Sequence, residues 1–87
     1  MNNRTSPRFW RHYHALPPEI RKLADKNFQL LKINPQHPSL RFERKKPELW
    51  SVRVSSGHRA LARQLEDNLI WFWIGPHDEY ERLLHEF

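Results

Sequence analysis

The chain has 87 residues, a net charge of +5 and no cysteine, which limits it to one domain near the lower size for a self-sufficient core and excludes disulfide staples and thiolate metal sites. Stability therefore rests on apolar burial, supplied in large pieces by four Trp, five Phe and two Tyr. No apolar run approaches the roughly 20 residues that span a bilayer, and MNNRTSPRFW lacks the apolar core of a signal peptide, so a soluble, cytoplasmic protein is expected.

The charge is unevenly placed. Arg41, Arg44, Lys45, Lys46, Arg53, Arg59 and Arg63 are opposed only by Glu43 and Glu48, whereas beyond Gln64 six acids face only Arg82. A basic central segment on a small domain is the footprint of a polyanion partner, either nucleic acid or an acidic protein. The competing reading is a solvated charged face.

In chain order, residues 8–13 (RFWRHY) alternate as a short strand, with Phe9 and Tyr13 on one side and Trp10 on the other. Leu16-Pro17-Pro18-Glu19 then opens a helix, since proline suits a first turn whose N–H groups lack intrahelical partners. Ile20, Leu23, Ala24, Phe28 and Leu31 recur at helical spacing, and Asn34 before Pro35 ends the helix near Ile33. A proline-bound connection, NPQHPSL, leads to a strand near 40–44. ELWSVRV (48–54) alternates, with Trp50, Val52 and Val54 on one face and Ser51, Arg53 and Ser55 on the other. Ser55-Ser56-Gly57 turns the chain into HRALARQ (58–64), where Ala60 and Ala62 leave room for a close-packed helix and Arg59, Leu61 and Arg63 face away from it. LIWFWIG (69–75) is apolar on both faces, Leu69, Trp71 and Trp73 against Ile70, Phe72 and Ile74, so it must be a central strand covered on both sides. A tail helix from His77 carries Tyr80, Leu83, Leu84 and Phe87 at i, i+3, i+4 and i+7. The expected fold is α+β: a small antiparallel sheet packed by a long N-terminal helix, with a short C-terminal helix, all in one domain over 1–87.

Most site chemistries lack their residues. His12 and His14 would share a face of a strand, but no third metal ligand is evident. Two glycines supply neither GxxxxGK nor GxGxxG, and no nucleophile elbow is present. No metal and no cofactor are expected. There remains a basic sheet face with His77 and Tyr80 beside it. Metal-free RNA cleavage needs a base for the attacking ribose 2′-OH, cations for the phosphorane and an acid for the leaving 5′-oxygen. Arg, His and Tyr suit those tasks. Read from the residues alone, plain nucleic-acid binding ranks above catalysis: His77 could be a surface residue, Tyr80 could be core, and Arg53 and Arg59 could be paired with nearby acids.

The order and spacing of FWRHYHALPPEIRKLADKNFQLLKINPQHPSLRF, LWSVRVSSGHRAL and IWFWIGPHDEY resemble the RelE/ParE superfamily of bacterial type II toxin–antitoxin toxins over nearly the whole chain. The resemblance implies a compact sheet with helices on one face and a cognate antitoxin as partner. It also implies a ribosome-dependent mRNA endoribonuclease that inhibits translation or, in the ParE branch, a protein that poisons DNA gyrase; a decayed, non-catalytic homologue is a further alternative. By this likeness Arg59, in GHRAL, matches the catalytic arginine of the YoeB-like nucleases and His77 stands at the separation of their catalytic histidine. Arg53 falls where these toxins often carry a basic residue. Lys45 and Lys46 lie where others hold the RNA backbone, with Arg44, Arg63 and Tyr80 as further RNA-binding candidates. Two departures stand out: Asp78 follows His77 where the YoeB-like enzymes carry Tyr, and Glu48 aligns only loosely with a catalytic glutamate.

Overall fold

The computed structural model describes residues 1–87. Its elements are β1 (Asn2–Thr5), α1 (Pro7–His14), α2 (Pro18–Ile33), a single 3-10 turn (Pro38–Leu40), β2 (Glu43–Lys46), β3 (Leu49–Ser55), β4 (His58–Leu65), β5 (Asn68–Pro76) and α3 (His77–Glu86). The five strands form one sheet in the order β1-β5-β4-β3-β2. All neighbours are antiparallel except β1, which runs parallel to β5. The α+β class, the long helix, the β3–β4 hairpin and the tail helix match the expectation from sequence.

Four details correct it. Residues 8–13 are helical, because Ser6 caps the helix by accepting the Phe9 N–H and Pro7 occupies the first turn. Phe9 and Tyr13, four apart, share a face at either period, so a six-residue run could not separate strand from helix. The N-terminal strand is instead the polar Asn2–Thr5. It is docked by the β5 ladder and by the Trp71 indole N–H, which donates to Asn3 Oδ1 at 2.9 Å. The strand expected near 40–44 starts at Glu43: Leu40 is fully buried in the 3-10 turn and Arg41 takes a left-handed conformation that breaks the extension. Finally, β5 carries a bulge, with Leu61 opposite Trp73 and Ala62 opposite Trp71, so that Phe72 is the extra residue. The alternation flips there, sending Trp73 to the α3 side and Ile74 to the helix side.

Both faces of the sheet are covered. On one, α1 and α2 bury Phe9, Leu16, Ala24 and Leu31 against Val52, Val54, Ala60, Ala62, Leu69, Trp71 and Ile74. The small Ala60 and Ala62 admit the helices, and Asn27 Nδ2 ties α2 to the Val54 carbonyl at 2.7 Å. Leu23, expected on the buried stripe, is 39% exposed. On the other face α3 lays Tyr80 over Leu49, Leu61 and Trp73, with Leu83 and Leu84 at the margin. β5, paired on both edges and covered on both faces, is the interior strand its double-sided apolarity required, although β4 is the middle one of five. None of the helices is long and apolar enough to cross a membrane.

Candidate functional site

The β3–β4 hairpin and the start of α3 meet at one end of the sheet. Arg53 and Arg59 are directly opposed across the hairpin, and Arg59 is in turn opposite Gly75 of β5. Glycine is required there by close approach: a Cβ at position 75 would sit 2.6 Å from the Trp73 indole. Two residues on, the His77 N–H donates to the Gly57 carbonyl at 2.9 Å, which fastens the first residue of α3 to the hairpin turn. The short separation of Arg59 and His77 along adjacent antiparallel strands thus becomes a shared location.

Arg59 is pre-oriented. Its Nη1 donates to the carbonyls of Ser55 (2.8 Å) and His58 (2.9 Å), while the Ser55 hydroxyl bonds His58 Nδ1 at 3.0 Å and steadies the turn. Burial first, and then the charge of Arg53, push the Arg59 guanidinium below its usual range; Arg41 adds to this, and Tyr80 and Glu81 oppose it. Like charges opposed on one face of a sheet destabilise it by about 0.2–1 kcal/mol. Neither arginine is relieved by an ion pair, since the two ion pairs in the molecule join Lys45 to Glu43 and His77 to Glu81. The pairing of Arg53 and Arg59 with nearby acids, open from the sequence, is therefore not what forms. An uncompensated, partly buried cationic pair is well suited to an anion.

His77 is 41% exposed and its two nitrogens differ. Nε2 lies 3.1 Å from Glu81 Oε1 one helical turn on, whereas Nδ1 is enclosed and has no hydrogen-bond partner. The Tyr80 ring stands 5.4 Å from the imidazole. Tyr80 itself is only 4% exposed, and its hydroxyl donates a long bond to Ser51 Oγ at 3.4 Å. Its ring therefore has no free face on which a base could stack, which corrects its candidacy as an RNA-stacking residue and makes it part of the apolar stripe of α3. Lys45 reaches toward this tyrosine from β2. Its hydrogen bond to Glu43 leads the effects that hold its ammonium above the usual value, with burial opposing and Tyr80 reinforcing.

The other candidates lie elsewhere. Arg44 is on the helix side, over the Trp50 ring at 5.4 Å and bonded to Gln64 Oε1 at 3.2 Å. Lys46 and Arg63 line a separate cleft of about 260 Å³ with Pro47, Glu48, Leu49 and Phe87. Arg63, four residues along β4 from Arg59, is about 13 Å away along the strand. Glu48 is there too, next to Gln64, whose N–H its carbonyl accepts at 2.7 Å; it is too far from Arg59 to act with it. His12 and His14 sit on α1, where residues two apart point to different sides, so the shared face a strand would have provided does not exist. Conversely, Glu81 and Ser51 join the site without having been singled out. Glu81 had a signal, the i, i+4 spacing from His77 on a helix; Ser51 had none, because its burial depends on where Tyr80 lands.

The comparisons with known proteins bear on the fold. No family model matches the chain, and no curated protein matches its sequence. Among solved structures, a chain of the RelB–RelE antitoxin–toxin complex from Methanococcus jannaschii is similar at a TM-score of 0.71 and 12% identity, over 92% of this chain and 96% of that one. The RelBE2 toxin–antitoxin complex from Mycobacterium tuberculosis is similar at 0.64 and 20% identity, covering 87% and 96%. The isolated RelE toxin of Escherichia coli is similar at 0.62 and 14% identity, covering 99% and 98%. These likenesses span both partners almost completely, and the chain has the RelE/ParE-like toxin fold that its sequence resembles.

Proposed function

We propose that this chain is the toxin of a type II toxin–antitoxin system, acting in the cytoplasm as a metal-independent, ribosome-dependent mRNA endoribonuclease and neutralised by a cognate antitoxin. The observation that carries the reading is the fastening of His77 to the hairpin turn that also orients Arg59, beside an unpaired Arg53. Arg59 and Arg53 stabilise the negative charge gathered on the phosphorane. His77 moves the proton, as base from the 2′-OH or as acid to the leaving 5′-oxygen. Its working atom is Nε2, which Glu81 must vacate, because Nδ1 is enclosed. That displacement is easy, since an exposed pair of this kind is worth about 1 kcal/mol or less.

Expression of the chain alone should arrest growth with mRNA cut in the ribosomal A site, and His77→Ala and Arg59→Ala should each lower cleavage by about 10²–10³-fold. Equal arrest by all three, without A-site cuts, sinks the reading. The closed state of His77 favours one alternative: a ParE-like protein that inhibits DNA gyrase by contact alone. That version predicts loss of supercoiling while translation continues, and indifference to His77→Ala. Under either reading the antitoxin brings acids to the Arg41–Arg63 region, so high salt should weaken the complex.

A further inference from the structure

Four larger surface clefts each have lysine or arginine in their walls. A smaller hollow of about 60 Å³, between the two N-terminal helices and strands β3, β4 and β5, has neither. Its cause is a mismatch of side-chain size. Phe9 and Phe28 from the helices and Trp71 from the sheet set the spacing of the two layers. Ala24 of α2 and Ala60 of β4 carry one side-chain carbon each and leave that spacing unfilled.

The polar groups in the wall are already committed. The Tyr13 hydroxyl donates to Asp25 Oδ1 at 2.8 Å, joining α1 to α2 on the exposed side. Asn27 Nδ2 donates to the Val54 carbonyl, and Thr5 Oγ1 accepts the Trp10 indole N–H at 3.0 Å. The one buried side-chain polar atom in the molecule without a partner, His77 Nδ1, is not in this wall. A buried water makes about three hydrogen bonds, so an apolar hollow that offers none stays dry and takes apolar guests. Size then selects the guest. A dry cavity of about 150 Å³ accepts benzene and xenon. At about 60 Å³ a benzene ring is excluded, whereas a xenon atom or a chain of about three carbons fits.

We infer that the hollow walled by Ala24 and Ala60 is a binding site for a small apolar guest of about three heavy atoms or fewer. Its walls include none of Arg53, Arg59 and His77, so the site stands or falls independently of RNA cleavage. Because the guest is enclosed only while both helices rest on the sheet, its binding favours the folded state by mass action. The probe is xenon gas, dissolved under pressure over the full chain with carbon-13-labelled methyl groups. The methyl resonances of Leu31, Val52, Val54 and Ile74 should shift and saturate with xenon pressure, several-fold more than those of the exposed Leu23, Ile33 and Leu65. Ala60→Val should abolish that response by filling the space, and Ala24→Val does the same from the helix wall if the first variant does not fold. Shifts that are linear in pressure and equal at the exposed methyls overturn the site. A folded variant that keeps the full response overturns its location, and contacts from these methyls to a long-lived water overturn its dryness. Benzene shifting the same methyls as strongly as xenon overturns the size limit.

Discussion

The two faces of the sheet are built to different standards. Against α1 and α2 lies a continuous apolar layer of twelve buried residues; against α3 there are four, with Ser51 buried among them and arginines at either end of the helix. The first face is where the molecule keeps its stability. The second is thin, so Arg53 and Arg59 sit half-buried beside it with no acid to pair them. That is the condition under which an anion is bound, and it is a consequence of covering a five-stranded sheet with a helix only ten residues long.

The contrast can be broken in order of expected effect. Trp71→Ala, at a residue 2% exposed in the thick layer, should destabilise the fold by about 3–5 kcal/mol, read from urea unfolding; a cost below about 1 kcal/mol would mean that this layer is not the stabilising one. On the thin side the sign should reverse. Arg53→Gln removes half of the like-charge pair opposite Arg59 and should raise stability by about 0.2–1 kcal/mol, even as it weakens the proposed RNA cleavage. A fall in the urea midpoint would show instead that the arginine stem contributes more by packing than its charge costs.

The smallest effect should appear where α1 meets α3. Burial, then the charges of Arg8 and Arg11, hold His12 below the ordinary histidine value of 6.5, with Glu79 opposing. A base whose folded pKa is depressed takes up more protons unfolded. The stability it contributes is therefore present above pH 6.5 and is lost as the pH falls below that value. His12→Gln should flatten that part of the stability profile and leave the neutral end unchanged. An identical acid slope in the variant would assign the loss to other groups.

Much of this architecture was legible in the residues because it depends on local patterns. The Pro17-Pro18 opening and the Asn34-Pro35 stop bound α2, and alternation in LWSVRV separated Trp50, Val52 and Val54 from Ser51 and Arg53. The candidate site was half legible: Arg53, Arg59 and His77 are brought to one end of the sheet, while Arg44, Lys46 and Arg63 are carried elsewhere by a bulge and by strand length. Charge counting could not separate these groups, because a run of cations on alternating strand positions is divided between two faces and two ends.

By itself, then, the sequence determined the class of fold and the interior place of the β5 strand, since periodicity, capping and hairpin register act over a few residues, while its family resemblance joined Arg59 to His77. Tertiary structure alone decided the rest. It docked the polar Asn2–Thr5 as a parallel edge strand, moved Trp73 to the α3 side through the Phe72 bulge and sealed Tyr80 over Ser51. In each case the energy comes from contacts between residues far apart in the chain, and these leave no local pattern to read.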